Sequence, residues 1–178
     1  MYKLRTNPVK CAFGVSVGKF LGFLVHYIGM SVDPAKAMAI TTMKRPMTVK
    51  ELKSFLGRVS YIRRFVLGLA SVTNELSKLL KKGAEFTWGA EQLEAFQKIQ
   101  QNMNHLPTLP VPVHGRLLLL YLASNSQAIG ALLVKEDDEG NAQPIYYVSR
   151  ALNDTKTRCP KIERTCLLVI YASQRQKR

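Results

Sequence analysis

A proline-rich segment near the middle of the chain sets the strongest limit on its fold. Pro107, Pro110 and Pro112 lie close together there. Proline lacks the N–H that a helix interior or a central strand requires, so this segment is a connection. The sequence before it is dominated by helical spacing of apolar residues, and the sequence after it by strands. We therefore expect an α+β fold, with a linker over 106–115 and a separate unit over 116–178.

The first residues of the chain predict short strands and a β-hairpin that turns near Val17 to Lys19. Asp33 followed by Pro34 is typical of a helix start, with Asp as the cap and Pro in the first turn.

The best-defined helix begins at Thr48, which has the spacing of a capping box with Glu51. Apolar residues then recur at helical spacing, which predicts an amphipathic helix whose apolar stripe packs into a core. Further helices are expected over 71–80 and 89–104. The stripe consists of Leu52, Phe55, Leu56, Val59, Ile62 and Val66.

The unit beyond the linker has a different pattern. Residues 116–123 and 129–135 predict an antiparallel pair of strands, joined to a third strand over 144–149 by the acidic turn 136–141. Residues 158–174 predict a C-terminal helix.

The charge is strongly basic and unevenly placed. Lys and Arg number 26 against 12 Asp and Glu, a net charge of +14. Residues 1–82 carry 15 basic and 3 acidic residues, whereas residues 83–178 carry 11 and 9. Such asymmetry favours a polyanionic partner for the first half, most simply nucleic acid. The other interpretation is a solvated basic face with no partner.

The cysteines and the N-terminal segment exclude several classes of protein. Cys11, Cys159 and Cys166 show no metal-ligand or disulfide spacing, and the three histidines are scattered. We therefore expect no metal site, and a reducing, intracellular compartment fits, cytoplasmic or nuclear. Residues 11–30 are apolar enough to mimic a signal peptide, but Lys19 and four glycines interrupt them, so no signal peptide or membrane span is expected.

Seven local motifs, in this order, resemble the Pol polyprotein of gypsy-class long-terminal-repeat retrotransposons. Together they extend over nearly the whole chain. They are Asn7-Pro8-x-Lys10-Cys11-x-Phe13-Gly14, Lys19 to Val25, Asp33 to Pro46, Glu51 to Phe65, Phe86-x-Trp88 with Ala95-Phe96, Leu118 to Ala123, and Pro144 to Leu152.

The resemblance implies that 1–33 is the end of a reverse transcriptase palm and 34–105 a helical thumb and connection. It implies that 116–178 is part of an RNase H-like domain, with a truncated mixed sheet and a C-terminal helix. Phe20, Leu21 and Gly22 match the primer-grip pattern, in which a backbone turn approaches the primer end. The alternative for these three residues is plain strand core.

The departures from the family bear on activity. The resemblance implies magnesium-dependent chemistry, which needs clustered carboxylates. The polymerase carboxylates of the family lie upstream of Met1, and two RNase H carboxylates fall at Ala123 and Thr165. Glu163 is two residues from the helix position and faces elsewhere. Asp137-Asp138 is interpreted as a solvated turn. We therefore expect no catalytic residues, no cofactor and no activity from this chain alone.

Binding is the remaining expectation from the family. We expect a non-specific grip on primer-template nucleic acid through basic residues of the thumb. The rival interpretation is a protein-interaction or scaffold module without a nucleic-acid role, and association with the remainder of a retroelement polyprotein is a further possibility. The candidate phosphate contacts are Lys50, Lys53, Arg58, Arg63 and Arg64.

Overall fold

The computed structural model describes residue 5 and residues 7–176, except for the side chains of Lys10, Asp154 and Gln176. The strands are β1 Val17–Phe20, β2 Phe23–His26, β3 Gly29–Val32, β4 Leu109–Pro110, β5 Leu118–Ser124, β6 Ala128–Glu136 and β7 Ala142–Ala151. The α-helices are α1 Pro34–Thr41, α2 Val49–Tyr61, α3 Leu69–Lys78, α4 Ala90–Met103, α5 Asp154–Thr157 and α6 Lys161–Gln176. Short 3-10 turns cover Pro8–Lys10 and Arg63–Phe65.

The hairpin of β1 and β2 turns later than the sequence predicts. Phe20 pairs with Phe23, so the two-residue turn is Leu21-Gly22, and the expected turn near Val17 to Lys19 is wrong. Leu21 and Gly22 have φ of 48° and 79°. Two positive φ values in a two-residue turn match the right-handed twist of the strands, which explains why the reversal falls on this glycine.

The first sheet is completed by a strand from the segment expected to be a linker. Its order is β1-β2-β3-β4, and Met30 of β3 pairs with Leu109 of β4. Leu109 is buried in the first core. Strand β4 lies at the edge of the sheet, where the missing N–H of Pro110 leaves no neighbouring strand without a hydrogen-bond donor. The domain boundaries themselves stay a prediction.

Helix α2 begins as its capping residues predict. The Thr48 hydroxyl accepts a hydrogen bond from the Glu51 amide at 3.2 Å, and the Glu51 carboxylate accepts one from the Met47 amide at 2.7 Å. The helix ends at Tyr61, and the 3-10 turn then keeps Phe65 buried. The predicted stripe is confirmed as core, although Leu56 is only partly buried.

The first core joins α1, α2, α3 and α4 with β3 and β4. The side-chain amide of Gln100 on α4 lies 2.9–3.1 Å from the carbonyls of Ile40, Thr41 and Met43, and so satisfies the C-terminal end of α1. Trp88 packs edge-on against Phe96, with ring centroids 5.9 Å apart.

The second sheet has the order β5-β6-β7, and α6 covers one of its faces. The α+β fold is confirmed, but a mixed sheet was expected and the described strands are antiparallel throughout. A strand parallel to its neighbour would have to follow a long crossover connection such as a helix. No strand is described after α6, so the described sheet contains no such pair. The second core comprises Ile129, Ala131, Val148, Leu152, Leu168 and Ala172.

The two units are in contact. The amide of Ala70 on α3 donates a hydrogen bond of 3.2 Å to the Ser149 hydroxyl on β7, and Tyr147 packs against the first core. Within the described part of the chain, no helix has the length and apolar character needed to cross a membrane.

Candidate nucleic-acid interface

The primer-grip-like turn is held against the C-terminal end of α2. The Tyr61 hydroxyl donates a hydrogen bond to the Leu21 carbonyl. The Tyr61 ring stacks on Phe23, with centroids 4.7 Å apart and planes within 5°. Burial of this hydroxyl raises the pKa of Tyr61 above its ordinary value. Tyr61 thus fixes the turn relative to α2.

The side chains of this turn are exposed. Phe20 is 65% exposed and Leu21 is 75% exposed. The alternative of plain strand core therefore does not describe these two residues. The primer-grip role of Phe20, Leu21 and Gly22 stays a prediction.

Lys19, which precedes the turn, is already paired. Its ammonium lies 3.0 Å from the carboxylate of Asp33, the residue that caps α1 by accepting a hydrogen bond from the Ala35 amide. The hydrogen bonds from Lys19 and Ala35 hold the pKa of Asp33 below its ordinary value. Lys19 therefore contributes less free positive charge to the surface than its position in the sequence suggests.

The five predicted phosphate contacts do not form one cluster. Lys50, Lys53 and Arg58 are exposed, and their spacing places them on one side of α2, away from the apolar stripe. Arg63 and Arg64 follow on the 3-10 turn. Arg58, Arg63 and Arg64 line cavities, whereas Lys50 and Lys53 line none of those described.

Three adjoining cavities connect these residues to the second unit. The first, about 660 Å³, lies between the turn and α2 and is lined by Lys36 and Arg58. The second, about 570 Å³, shares Gly57 and Tyr61 with the first and adds Arg64.

The third cavity, about 630 Å³, shares Ser60, Arg63 and Arg175 with the second and reaches Arg150. We refer to the three cavities together as the basic groove. Among the described residues, no Asp or Glu lines it. Its cations are Lys36, Arg58, Arg63, Arg64, Arg150 and Arg175.

Arg64 is positioned by two aromatic rings. Its guanidinium carbon lies 5.7 Å from the Phe23 ring centroid and 5.3 Å from that of Tyr146. Phe23 belongs to the hairpin and Tyr146 to β7, so Arg64 lies where the two units meet. Contact with ring faces orients the guanidinium while it remains charged.

Three groove residues were missed by the sequence analysis: Lys36, Arg150 and Arg175. Arg175 stands four residues after Tyr171 on α6, a spacing that places both on one helix face. That spacing was a usable signal. Lys36 and Arg150 gave no such signal. Lys36 comes beside α2 through the packing of α1 on α2 within the first unit. Arg150 comes beside Arg63 only through the packing of the two units.

The positions of the two missing RNase H carboxylates do not fit a magnesium site. Ala123 offers no ligand, and it lines a cavity of about 410 Å³ with Leu67 and Gly68. The Thr165 hydroxyl donates to the Lys161 carbonyl of its own helix at 3.0 Å. Glu163 is exposed. Over 7–176, no three His, Cys, Asp or Glu side chains are grouped as a metal site would need.

Asp137 and Asp138 have structural partners in the acidic turn. The carboxylate of Asp137 accepts hydrogen bonds from the amides of Asn141 at 2.7 Å and Glu139 at 3.0 Å. The bond from the Asn141 backbone is the largest of the effects that lower the pKa of Asp137. Asp138 pairs with Arg116 at 2.6 Å.

Comparison with known proteins gives matches over nearly the whole chain. Residues 88–178 match a family described as the RNase H-like domain found in reverse transcriptase. The Pol polyprotein from transposon opus of Drosophila melanogaster is 33% identical over 95% of this chain, and that from transposon 297 of the same species is 31% identical over 96%. The transposon Tf2-3 polyprotein of Schizosaccharomyces pombe is 28% identical over 94%.

The chain spans only a small part of these relatives, 18%, 16% and 12% of their respective lengths. Among solved structures, the foamy viral protease-reverse transcriptase in complex with double-stranded DNA superposes with a TM-score of 0.76 at 22% identity, over 91% of this chain and 34% of that one. The same enzyme in complex with an RNA/DNA hybrid gives 0.75 at 22% identity, over 90% and 22%.

Proposed function

Because the chain belongs to the family of RNase H-like domains found in reverse transcriptases, within the Pol polyproteins of gypsy-class retrotransposons, we propose that it binds duplex nucleic acid without sequence preference. The observation that carries this proposal is the basic groove, which is lined by six cations and by no described carboxylate. The similar foamy viral structures are complexes with double-stranded DNA and with an RNA/DNA hybrid.

The contacts proposed for binding are electrostatic. Lys50 and Lys53 extend from α2 into solvent, Arg58 lines the cavity beside the turn, and Arg63 and Arg64 continue the positive surface toward β7. Cations of this kind neutralise backbone phosphates and release bound counterions, which gives affinity without reading the bases. The turn of Leu21 and Gly22 would lie beside the bound strand.

The same proposal includes a lack of polymerase and RNase H activity in this chain by itself. The residues at the two aligned RNase H positions, Ala123 and Thr165, cannot supply carboxylate ligands. Incubation of the pure protein with a labelled RNA–DNA hybrid and Mg²⁺ should leave the RNA intact. Metal-dependent cleavage that disappears in the Glu163→Gln variant would overturn this part.

Binding is tested by fluorescence anisotropy of a labelled duplex over a salt series. About four phosphate contacts from the thumb cations should contribute −3 to −4 to the slope of log K against log salt. The dissociation constant should be on the order of tens of micromolar at physiological salt, within the range of non-specific binders.

The variant that tests the thumb replaces all five predicted contacts with Gln. Its slope of log K against log salt should be much shallower than that of the wild type, because most of the thumb's phosphate contacts are gone. Its circular dichroism spectrum should be unchanged, because these side chains lie off the apolar stripe. A control with five other cations replaced by Gln has the same net charge and should retain most of the slope. Equal loss in both variants, or no binding by the folded wild type at low salt, would refute the proposal. The control positions are Lys44, Lys82, Lys98, Arg158 and Lys161.

One observation favours the second candidate, a protein-interaction surface. Strand β5 lies at an edge of its sheet, and its run from Leu118 to Leu122 is exposed. An unpaired apolar edge readily accepts another strand. Another part of the polyprotein would be the natural partner, and concentration-dependent self-association without nucleic-acid binding would favour this candidate.

A further inference from the structure

We infer that the open edge of β5, together with one flank of α6, is the interface through which two copies of this chain pair, strand against strand, around a two-fold axis. The inference goes beyond the proposed function, because the pairing requires no nucleic acid. It also uses the edge of the second sheet opposite to β7, and β7 is the strand that lines the basic groove.

The first observation is the edge itself. Among the strands of 7–176, β5 pairs only with β6, and its side chains from Leu118 to Leu122 are 36–54% exposed. The amide of Asn125 donates a hydrogen bond of 3.0 Å to the Ala128 carbonyl. Because hydrogen-bonded and non-hydrogen-bonded pairs alternate in an antiparallel ladder, the N–H and C=O groups of Leu118, Leu120 and Leu122 point away from β6. They form a row of donors and acceptors to which another strand can pair.

The second observation concerns charge. Residues 117–134 contain no charged side chain, and this is the longest such run in a chain of net charge +14. Edge strands are ordinarily kept from pairing by lysine, proline or a bulge. Strand β5 contains no lysine or proline, and its ladder with β6 is regular. An uncharged strand can lie opposite its own copy without like-charge repulsion, whereas a charged partner would gain no ion pair there. The edge is therefore complementary to itself.

The third observation is an exposed apolar flank on α6, which packs over β5 and β6. Leu168 is buried against the sheet, and the ring of Tyr171 lies 5.1 Å from the guanidinium carbon of Arg150 on β7. At about 100° per residue, Ile162 and Val169 lie on the flank of α6 opposite to Tyr171, and therefore on the side of the open β5 edge. They are 74% and 46% exposed.

These features combine in one symmetric arrangement. A two-fold axis perpendicular to the sheet at Tyr121 pairs residues 118–124 with their own copy and joins the two three-stranded sheets into one. This axis preserves the two faces of the sheet, so both α6 helices lie on the same face, with Ile162 and Val169 of each turned toward the other. Such an interface is isologous, because each copy contributes the same surface.

The size of this interface sets the expected affinity. From the exposed side chains of β5 and the α6 flank, pairing would bury on the order of 600 Å² per copy, against about 800 Å² in a standard interface. The dimer should therefore be weak, with a Kd on the order of tens of micromolar.

The first test is sedimentation velocity of the whole chain over a concentration series, without nucleic acid. The wild type should dimerise, and higher salt should tighten the dimer because it screens the net charge of +14 on each copy. Tyr121→Lys places like charges opposite one another at the axis and should raise the Kd roughly 10-fold or more. Tyr27→Lys makes the same change at a side chain that is 88% exposed in the first unit, and should leave the Kd unchanged. Equal effects of the two substitutions, or a wild type that stays monomeric well above the expected Kd, would overturn the inference.

The second test measures amide hydrogen exchange along β5 by NMR and needs no variant, so it decides if Tyr121→Lys does not fold. The amides of Leu118, Leu120 and Leu122 should become protected as the protein concentration rises. Those of Leu119 and Tyr121 bond to β6 and should be protected at every concentration. Dimers without this alternating protection would pair through another surface and refute the inference.

Two further outcomes are distinguishable. Protection of all these amides at every concentration, in a chain that sediments as a monomer, would mean that a segment of the same chain covers the edge, and the inference would fail. Loss of duplex binding in the anisotropy assay would refute the proposed function and leave the sedimentation of the wild type unchanged.

Discussion

Replacing Gly22 with alanine tests how the turn is attached to α2. Gly22 has φ of 79°, a conformation that costs an L-residue about 1 kcal/mol. A Cβ at this position would also collide with the Tyr61 hydroxyl and lie 3.2 Å from its Cζ. The ring is stacked on Phe23 and cannot move without losing that contact and the hydrogen bond to Leu21. The hydrogen bond contributes about 1 kcal/mol, so the total destabilisation should be about 2–3 kcal/mol.

Gly83 provides a matched control. Its φ is 82°, and a Cβ there meets nothing within 4 Å, so Gly83→Ala should cost only the backbone penalty of about 1 kcal/mol. Both variants are measured by urea denaturation, followed by the fluorescence of Trp88, which is the single tryptophan and packs against the first core. Equal costs for Gly22→Ala and Gly83→Ala would refute the contact between turn and helix.

A double-mutant cycle isolates the collision with the hydroxyl. Tyr61→Phe removes the oxygen that the new Cβ meets, so Gly22→Ala in that background should cost little more than Gly83→Ala. An undiminished cost would show that the penalty arises from the backbone alone.

Three further predictions concern the cap, the pH dependence and the boundary. Thr48→Ala should lower the free energy of unfolding by about 1 kcal/mol in the same denaturation assay, because it removes the hydrogen bond to the Glu51 amide. The lowered pKa of Asp33 implies a stabilisation of the folded state that is present above the unfolded pKa near 3.8 and lost as pH falls through the folded pKa. In denaturation curves taken from pH 6 to pH 2, Asp33→Asn should remove this part of the loss in the free energy of unfolding. Limited trypsin digestion should cut first after Arg116, because residues 111–120 are exposed whereas Leu109 is buried. Mass spectrometry of the fragments identifies the first cut, and a first cut within α2 would contradict this prediction.

Local signals predicted the helices well. Thr48 and the apolar stripe that follows it gave α2 its start and its buried face, because capping and periodicity act within a few residues. The turn at Leu21-Gly22 was missed because its anchor, Tyr61, lies forty residues away. Strand β4 was missed for a similar reason. Three nearby prolines indicate a connection. Residues 109–110 form a strand only because they pair with the edge of β3, which is distant in the sequence.

The candidate interface was predicted in part. Arg58, Arg63 and Arg64 were selected from the charge pattern of one helical segment, and they line the groove. Arg150 and Arg175 come from a region whose net charge is close to balanced, so composition gave no reason to select them. Their shared contact with the Tyr171 ring is a property of the folded chain.

The pairing of β3 with β4 also determines the order in which the first unit can be completed. All of α1 to α4 lies between Met30 and Leu109. During synthesis, β1 to β3 leave the ribosome before α1 to α4, and β3 can pair with β4 only after residues 109–110 emerge. Closing so long a loop costs entropy that the intervening helices must first offset by packing together. The helices should therefore pack together before the sheet is complete. Until β4 pairs with it, the unpaired edge of β3 remains exposed to chaperones at the ribosome.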